Sequence, residues 1–267
     1  MQGERIPIGE VTLNVVIRGE GEPVLLAHGF PLDHSMWEAQ INVLSAEGYQ
    51  VIAPDLRGFG QSDAAAEKTT MRQFADDLSR LLAKLNVTRP VTFCGLSMGG
   101  YVAWQFFQHH RARLARLILC DTRANDDDEK VARGRLVMAA EVERFGLEKV
   151  PETMTPKLIA PITFEKNSAV VQSLREMILR QDRGGVAAAQ RGMAERENVT
   201  GLLSTIDVPS LVICGGEDVI TPPDVMRAIA AEIPDASYVE IAGAGHMAPL
   251  ERAVETNTAI LDFLKTK

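Results

Sequence analysis

Gly95-Leu96-Ser97-Met98-Gly99-Gly100 follows the apolar run VTFC and precedes the helix-like YVAWQFFQHH. A serine on so tight a strand-to-helix turn projects above the strand end, and the crowded backbone there needs the small neighbours that Gly95 and Gly99 supply. It also sits at a helix amino terminus, whose free N–H groups favour negative charge developing on a substrate oxygen. A serine hydroxyl is a weak nucleophile at neutral pH, so this chemistry requires a base. His246 supplies one, in the Gly-rich segment Ala242-Gly243-Ala244-Gly245-His246-Met247-Ala248-Pro249 that follows the last strand-like run. His109 and His110 point to different sides of a helix, and His34 lies in a loop before one, so they compete poorly.

A carboxylate is then needed to orient the imidazole, and two strand ends offer one. Asp218 in CGGEDVITPP and Asp121 in LILCDTR both fall between Ser97 and His246 in the chain. Asp218 has two glycines before it and Pro222 opening the next helix, which leaves it freer to turn toward His246. Asp121 fits equally a strand-end residue at a hinge, and Glu217 points elsewhere into solvent. Donors for a tetrahedral oxyanion come from the Phe30 N–H, in Ala27-His28-Gly29-Phe30-Pro31, and from the Met98 N–H, one residue past the nucleophile. His28 reads as structural. Phe30 and Trp37 are candidate walls of the substrate pocket, and burial against the first helix accounts for Trp37 equally well.

These residues need a scaffold, and the hydropathy pattern specifies one. Short β-branched runs alternate with helix-period segments, the signature of an α/β protein with a mostly parallel central sheet flanked by helices. An antiparallel start over residues 4–19 precedes strands predicted at 22–27, 50–54, 91–95, 115–120, 208–214 and 236–241. Residues 69–86 put Met71, Phe74, Leu78, Leu81, Leu82 and Leu85 on one helical stripe, with Thr69 or Thr70 as its cap. The alternation stops between residues 124 and 205, where helix formers dominate. This predicts a helical cap (124–205) inserted after the sixth strand into a core domain built from 1–123 and 206–267. The run Asp126-Asp127-Asp128-Glu129 that opens it suits a solvated first helical turn better than a metal site.

The 267 residues carry a net charge of −8, which repels nucleic acid and anionic lipid alike, and no Lys/Arg block offers an exception. The amino terminus has no signal-peptide pattern and no segment is apolar enough to span a bilayer, so a cytoplasmic chain is expected. Cys94, Cys120 and Cys214 each close an apolar strand-like run and read as free buried thiols. No metal-ligand spacing is present, and the chemistry proposed for Ser97 needs no cofactor.

With HGFP, DLRGFGQSD, GLSMGG, GGEDVITPP and GAGHMAPLE in order, the chain resembles the α/β-hydrolase superfamily over essentially its full length. Within it, FCGLSMGG and LCDTRA are similar to serine carboxylesterases and the 3-oxoadipate enol-lactonase-like group. The resemblance implies Ser97 as nucleophile, Asp218 as acid, His246 as base, and Phe30 and Met98 as oxyanion donors. It implies hydrolysis of small to medium acyl esters through an acyl-enzyme, with a small-molecule ester or lactone as partner. The pair His28-Gly29 departs from those enol-lactonases and matches esterases and cofactor-free perhydrolases. Haloalkane dehalogenases carry Asp where this chain has Ser97. An enol-lactonase or carbon–carbon bond hydrolase, a perhydrolase and a ligand sensor are the other activities this scaffold hosts.

Overall fold

The computed structural model describes residues 2–63 and 67–266. Among the described residues eight strands form: β1 (Glu4–Pro7), β2 (Thr12–Arg18), β3 (Glu22–Ala27), β4 (Tyr49–Pro54), β5 (Val91–Leu96), β6 (Leu114–Cys120), β7 (Ser210–Gly215) and β8 (Ala236–Ile241). They make one sheet in the order β1-β2-β4-β3-β5-β6-β7-β8. The β1–β2 and β2–β4 pairs are antiparallel, and every pair from β4 to β8 is parallel. β3 and β5 are buried almost throughout, as strands covered on both faces must be.

The helices are α1 (Glu38–Ala46), α2 (Met71–Lys84), α3 (Met98–His110), α4 (Glu129–Phe145), α5 (Val150–Leu158), α6 (Pro161–Lys166), α7 (Ser168–Leu179), α8 (Arg183–Ala194), α9 (Pro223–Glu232), α10 (Ala248–Glu251) and α11 (Ala253–Lys265). From β3 the chain steps through α1 to β4 on one side, then returns through α2 to β5 on the other. Right-handed crossovers therefore send α1 and α2 to opposite faces of the sheet. The reversal opens a crevice at the carboxyl ends of β3 and β5, where open α/β sheets place their ligands. The β3 exit carries His28-Gly29-Phe30 and the β5 exit carries Ser97.

Local chemistry explains the helix ends. The Thr70 hydroxyl accepts the Gln73 N–H at the start of α2, and Met71, Phe74, Leu78, Leu81 and Leu82 are buried along its inner stripe. Asp128 caps α4 in the same way, through the Val131 N–H, and Asp182 caps α8. Helices α4 to α8 all lie between β6 and β7 in the chain, with α4 packed along α8. No described helix is long and apolar enough to cross a membrane. All three cysteines are free and buried.

The loop after β4, DLRGFGQSD, is held by buried charge. The Asp55 carboxylate accepts the His34 and Gln61 N–H groups and the Asn14 amide, all at 2.9 Å, and pairs with His34 Nδ1 at 2.6 Å. Two residues on, the Arg57 guanidinium forks onto both oxygens of Asp77 in α2 at 2.7 Å, with both side chains buried. Breaking a buried pair from one side strands the other charge. We expect Asp77→Ala to lower stability by about 3–5 kcal/mol, read as a fall in the urea midpoint, whereas Arg57→Met with Asp77→Leu loses much less.

Candidate active site

Ser97 occupies the turn between β5 and α3 with φ +54° and ψ −110°, a conformation that L-residues rarely adopt. Close approach enforces it. A methyl group at Gly95 would strike the Gly99 carbonyl, and one at Gly99 would strike the carbonyls of Ala27 and His28. Two bonds fix the turn from β6: the Ser97 N–H donates to Cys120 O at 2.9 Å, and the Thr122 hydroxyl donates to Ser97 O at 2.8 Å. Between residues 91 and 100 Ser97 alone keeps partial exposure, so its hydroxyl is reachable while its surroundings are packed.

The crevice brings the β3 exit against this turn, since a Cβ at Gly29 would lie 3.6 Å from Ser97 Cβ. Phe30 follows directly and is largely buried, its ring edge-on to Phe59. Met98 is the first residue of α3, so its N–H belongs to the helix's unpaired first turn. His28 Nε2 accepts the Leu56 N–H at 2.9 Å and Nδ1 faces Gly29 O at 2.9 Å, which ties the β3 exit to the β4 loop. Burial lowers the His28 pKa and keeps the ring neutral for that task. Trp37 lies fully buried in the core, in a single 3-10 turn before α1.

Asp218 and His246 come from different strand exits. The Glu217 N–H donates to Ala244 O at 2.8 Å and the Gly216 N–H to Ile241 O at 2.9 Å, which laces the loop after β7 to the one after β8. A Cβ at Gly215 would collide with the Gly245 carbonyl, so that glycine permits the approach. His246 Nδ1 then meets Asp218 Oδ2 at 2.7 Å, with both side chains almost wholly buried. Asp218 Oδ1 accepts the Ile220 and Thr221 N–H groups at 2.7 and 3.0 Å, and Oδ2 also accepts the Thr221 hydroxyl. Burial alone would raise this carboxyl; the charge and hydrogen bond of His246 and the Thr221 donors outweigh it and hold the group well below the usual carboxylate range.

Asp121, the rival acid, lies beside Asp218 but makes its hydrogen bond elsewhere. It follows β6 at φ +46°, and its Oδ1 accepts the Gly215 N–H at 2.7 Å. Of the two carboxylates only Asp218 makes a hydrogen bond to His246 among the described residues. Sequence reading missed two supports. Thr221, in the quoted GGEDVITPP, carried a signal as the residue closing an Asp-initiated turn. Glu251 had none: its Oε1 accepts the Gly245 N–H and its Oε2 the Ala160 N–H, each at 2.8 Å.

Among the described residues two groups hold ligand-type atoms within 4.8 Å of one another, Asp33-His34-Asp55 and Asp121-Asp218-His246. In the first, Arg180 already neutralises Asp33 through two bonds at 2.7 and 2.8 Å. In the second, Asp218 is saturated by His246 and Thr221. Among the described residues that leaves Asp121 Oδ2 as the one unpartnered carboxyl oxygen of the second group, too few free ligands to cradle a cation.

A family profile described as alpha/beta hydrolase fold matches residues 22–253. A thermophilic esterase from Thermogutta terrifontis superposes with a TM-score of 0.95 at 43% identity, covering 99% of this chain and 97% of that one. The enol-lactonase from Burkholderia xenovorans superposes at 0.91 with 28% identity, covering 98% and 99%. A Bacillus subtilis AB hydrolase superfamily protein is 30% identical over 95% of both chains.

The depressed Asp218 pKa has a measurable sign. Its ionised form stabilises the native state above the unfolded pKa near 4, and that contribution is lost as pH falls below it toward the native value. The stability difference between the wild type and Asp218→Asn should therefore be largest near pH 7 and shrink below about pH 4. Urea unfolding across pH 3–7 checks it.

Proposed function

The chain belongs to the alpha/beta hydrolase fold family, and on that premise we propose that it is a serine hydrolase cleaving carboxylic esters of small to medium acyl chains. One observation carries the reading. A buried carboxylate–imidazole pair, 2.7 Å apart, stands at the same strand-end face as a strained, reachable serine. In this reading His246 takes the Ser97 proton through Nε2, and Ser97 Oγ attacks the ester carbonyl. The Phe30 and Met98 N–H groups hold the oxyanion. The tetrahedral species collapses, His246 returns the proton to the departing alcohol, and water repeats the sequence on the acyl-enzyme. Asp218 accepts the Nδ1 proton, fixes the tautomer and stabilises the imidazolium formed in each half.

Residues 124–205 act as a cap over a core of 1–123 and 206–267, screening Ser97 from water and setting the acyl size. Polar ties support this assignment: the Arg180 guanidinium on Asp33, the Gln181 amide with Gly60 N–H at 2.7 Å, and Met247 N–H on Leu158 O at 3.0 Å. The esterase likeness at 43% identity favours ester over lactone. The enol-lactonase likeness at 28% over nearly the whole of both chains supports cyclic enol-lactones as the second substrate class.

Ser97→Ala should cut hydrolysis of p-nitrophenyl acetate and butyrate by about a thousandfold or more, with an unchanged circular dichroism spectrum. A fluorophosphonate probe should label the wild type and not the variant. Persisting turnover in Ser97→Ala removes the nucleophile assignment. Linear esters of graded acyl length, run beside enol-lactones, decide between the two substrate classes by kcat/KM.

A further inference from the structure

Asp121 is wholly buried at the end of β6, yet its side chain makes one hydrogen bond where that of Asp218 makes four. Its Oδ1 takes the Gly215 N–H, and its Oδ2 has no hydrogen-bond partner among the described residues. An ionised oxygen in that position would be buried without a donor beside a second carboxylate, since atoms of Asp121, Asp218 and His246 lie within 4.8 Å of one another. The other ionisable groups that bear on it are the thiols of Cys120 on β6, which pushes the Asp121 carboxyl further up, and of Cys214 on β7, whose S–H is directed at the carbonyls of Gly215 and Thr221. Two carboxyls so placed hold one proton between them, and it goes to the oxygen with fewer donors.

We propose that Asp121 is a positioning residue that works as a neutral carboxylic acid: it backs Asp218, leaving Asp218 as the single charge opposite His246. The proposal rests on the assignment of Asp218 and His246 as acid and base. Burial, followed by the charge of Asp218, pushes the Asp121 pKa well up, in agreement with the geometry. Asparagine reproduces the neutral form and keeps an acceptor for Gly215, whereas alanine keeps neither the acceptor nor a group against Asp218.

Ester hydrolysis by Asp121→Asn, Asp121→Ala and Asp218→Asn tests this. Asp121→Asn should keep kcat within about threefold of wild type and leave the acid limb of the kcat/KM profile in place. Asp121→Ala should lose about tenfold or more in kcat with KM unchanged, because the buried Gly215 N–H loses its acceptor and nothing is left against Asp218. A downward move of the acid limb by about one unit in Asp121→Asn would mean that a negative charge beside His246 had been removed, and overturns the proposal. Wild-type turnover in Asp121→Ala overturns it as well. The infrared difference spectrum of wild type minus Asp121→Asn reads the proton without turnover. A protonated-carboxyl band supports the proposal, and its absence at neutral pH overturns it even if no ester is cleaved. Full activity in Asp218→Asn instead defeats the acid assignment beneath it.

Discussion

A side chain can be aimed out of the carboxyl end of a buried parallel strand only if the backbone turns within one residue, and Ser97 meets that demand at φ +54°. Holding a residue other than glycine there costs on the order of 1–3 kcal/mol, so the surroundings must over-determine the turn. They do so from the two neighbouring strands at once. The Ala27 and His28 carbonyls of the β3 exit leave room only for hydrogen at Gly99, while β6 binds the Ser97 N–H and carbonyl through Cys120 and Thr122. The exits of β3, β5 and β6 are thereby fixed relative to one another. Phe30, Met98 and Asp121 inherit their positions from that one turn.

Charge placement follows from the same packing. The strand exits crowd Asp121, Asp218 and His246 into a region with little water, where a carboxylate persists only with several donors. Asp218 obtains them because it starts a turn: the Ile220 and Thr221 N–H groups fold back onto its Oδ1. Asp121 leads instead into an irregular segment and finds only Gly215. The identity of the charged acid is therefore a property of the backbone after each aspartate. Asp55 and Asp33 obey the same rule, each ringed by N–H groups or a guanidinium, and both are held below the usual carboxylate range against the opposing effect of burial.

Periodicity made the sheet legible. The runs at 22–27 and 236–241 become strands with those bounds, and the others shift by one or two residues, as at Ser210–Gly215, where Pro209 delays entry into the ladder. The α2 stripe and its Thr70 cap were readable because spacing alone dictates which face is buried. The choice between Asp218 and Asp121 was readable only in part, since both follow strands and both precede His246 in the chain. What separates them is the loop lacing by Glu217 and Gly216, which joins residues nearly thirty positions apart and leaves no local pattern. Glu251 was opaque for the same reason. Its partners are the N–H groups of Gly245 and of Ala160, the latter 91 positions away.

Glu251 also joins the segment between β6 and β7 to the loop that carries His246. One carboxylate oxygen accepts from the loop that carries His246, and the other accepts from Ala160 at the start of α6. Burial raises this carboxyl, and the two N–H groups offset that rise only in part. Met247 adds a second tie by donating to Leu158 O. Any displacement of residues 158–160 must therefore break bonds that hold the chain on both sides of His246. The imidazole is held by Asp218 and Thr221, and the backbone on either side of it is tied through Glu251 and Met247 to residues 158–160. The orientation of the His246 imidazole and the seating of residues 158–160 are one constraint.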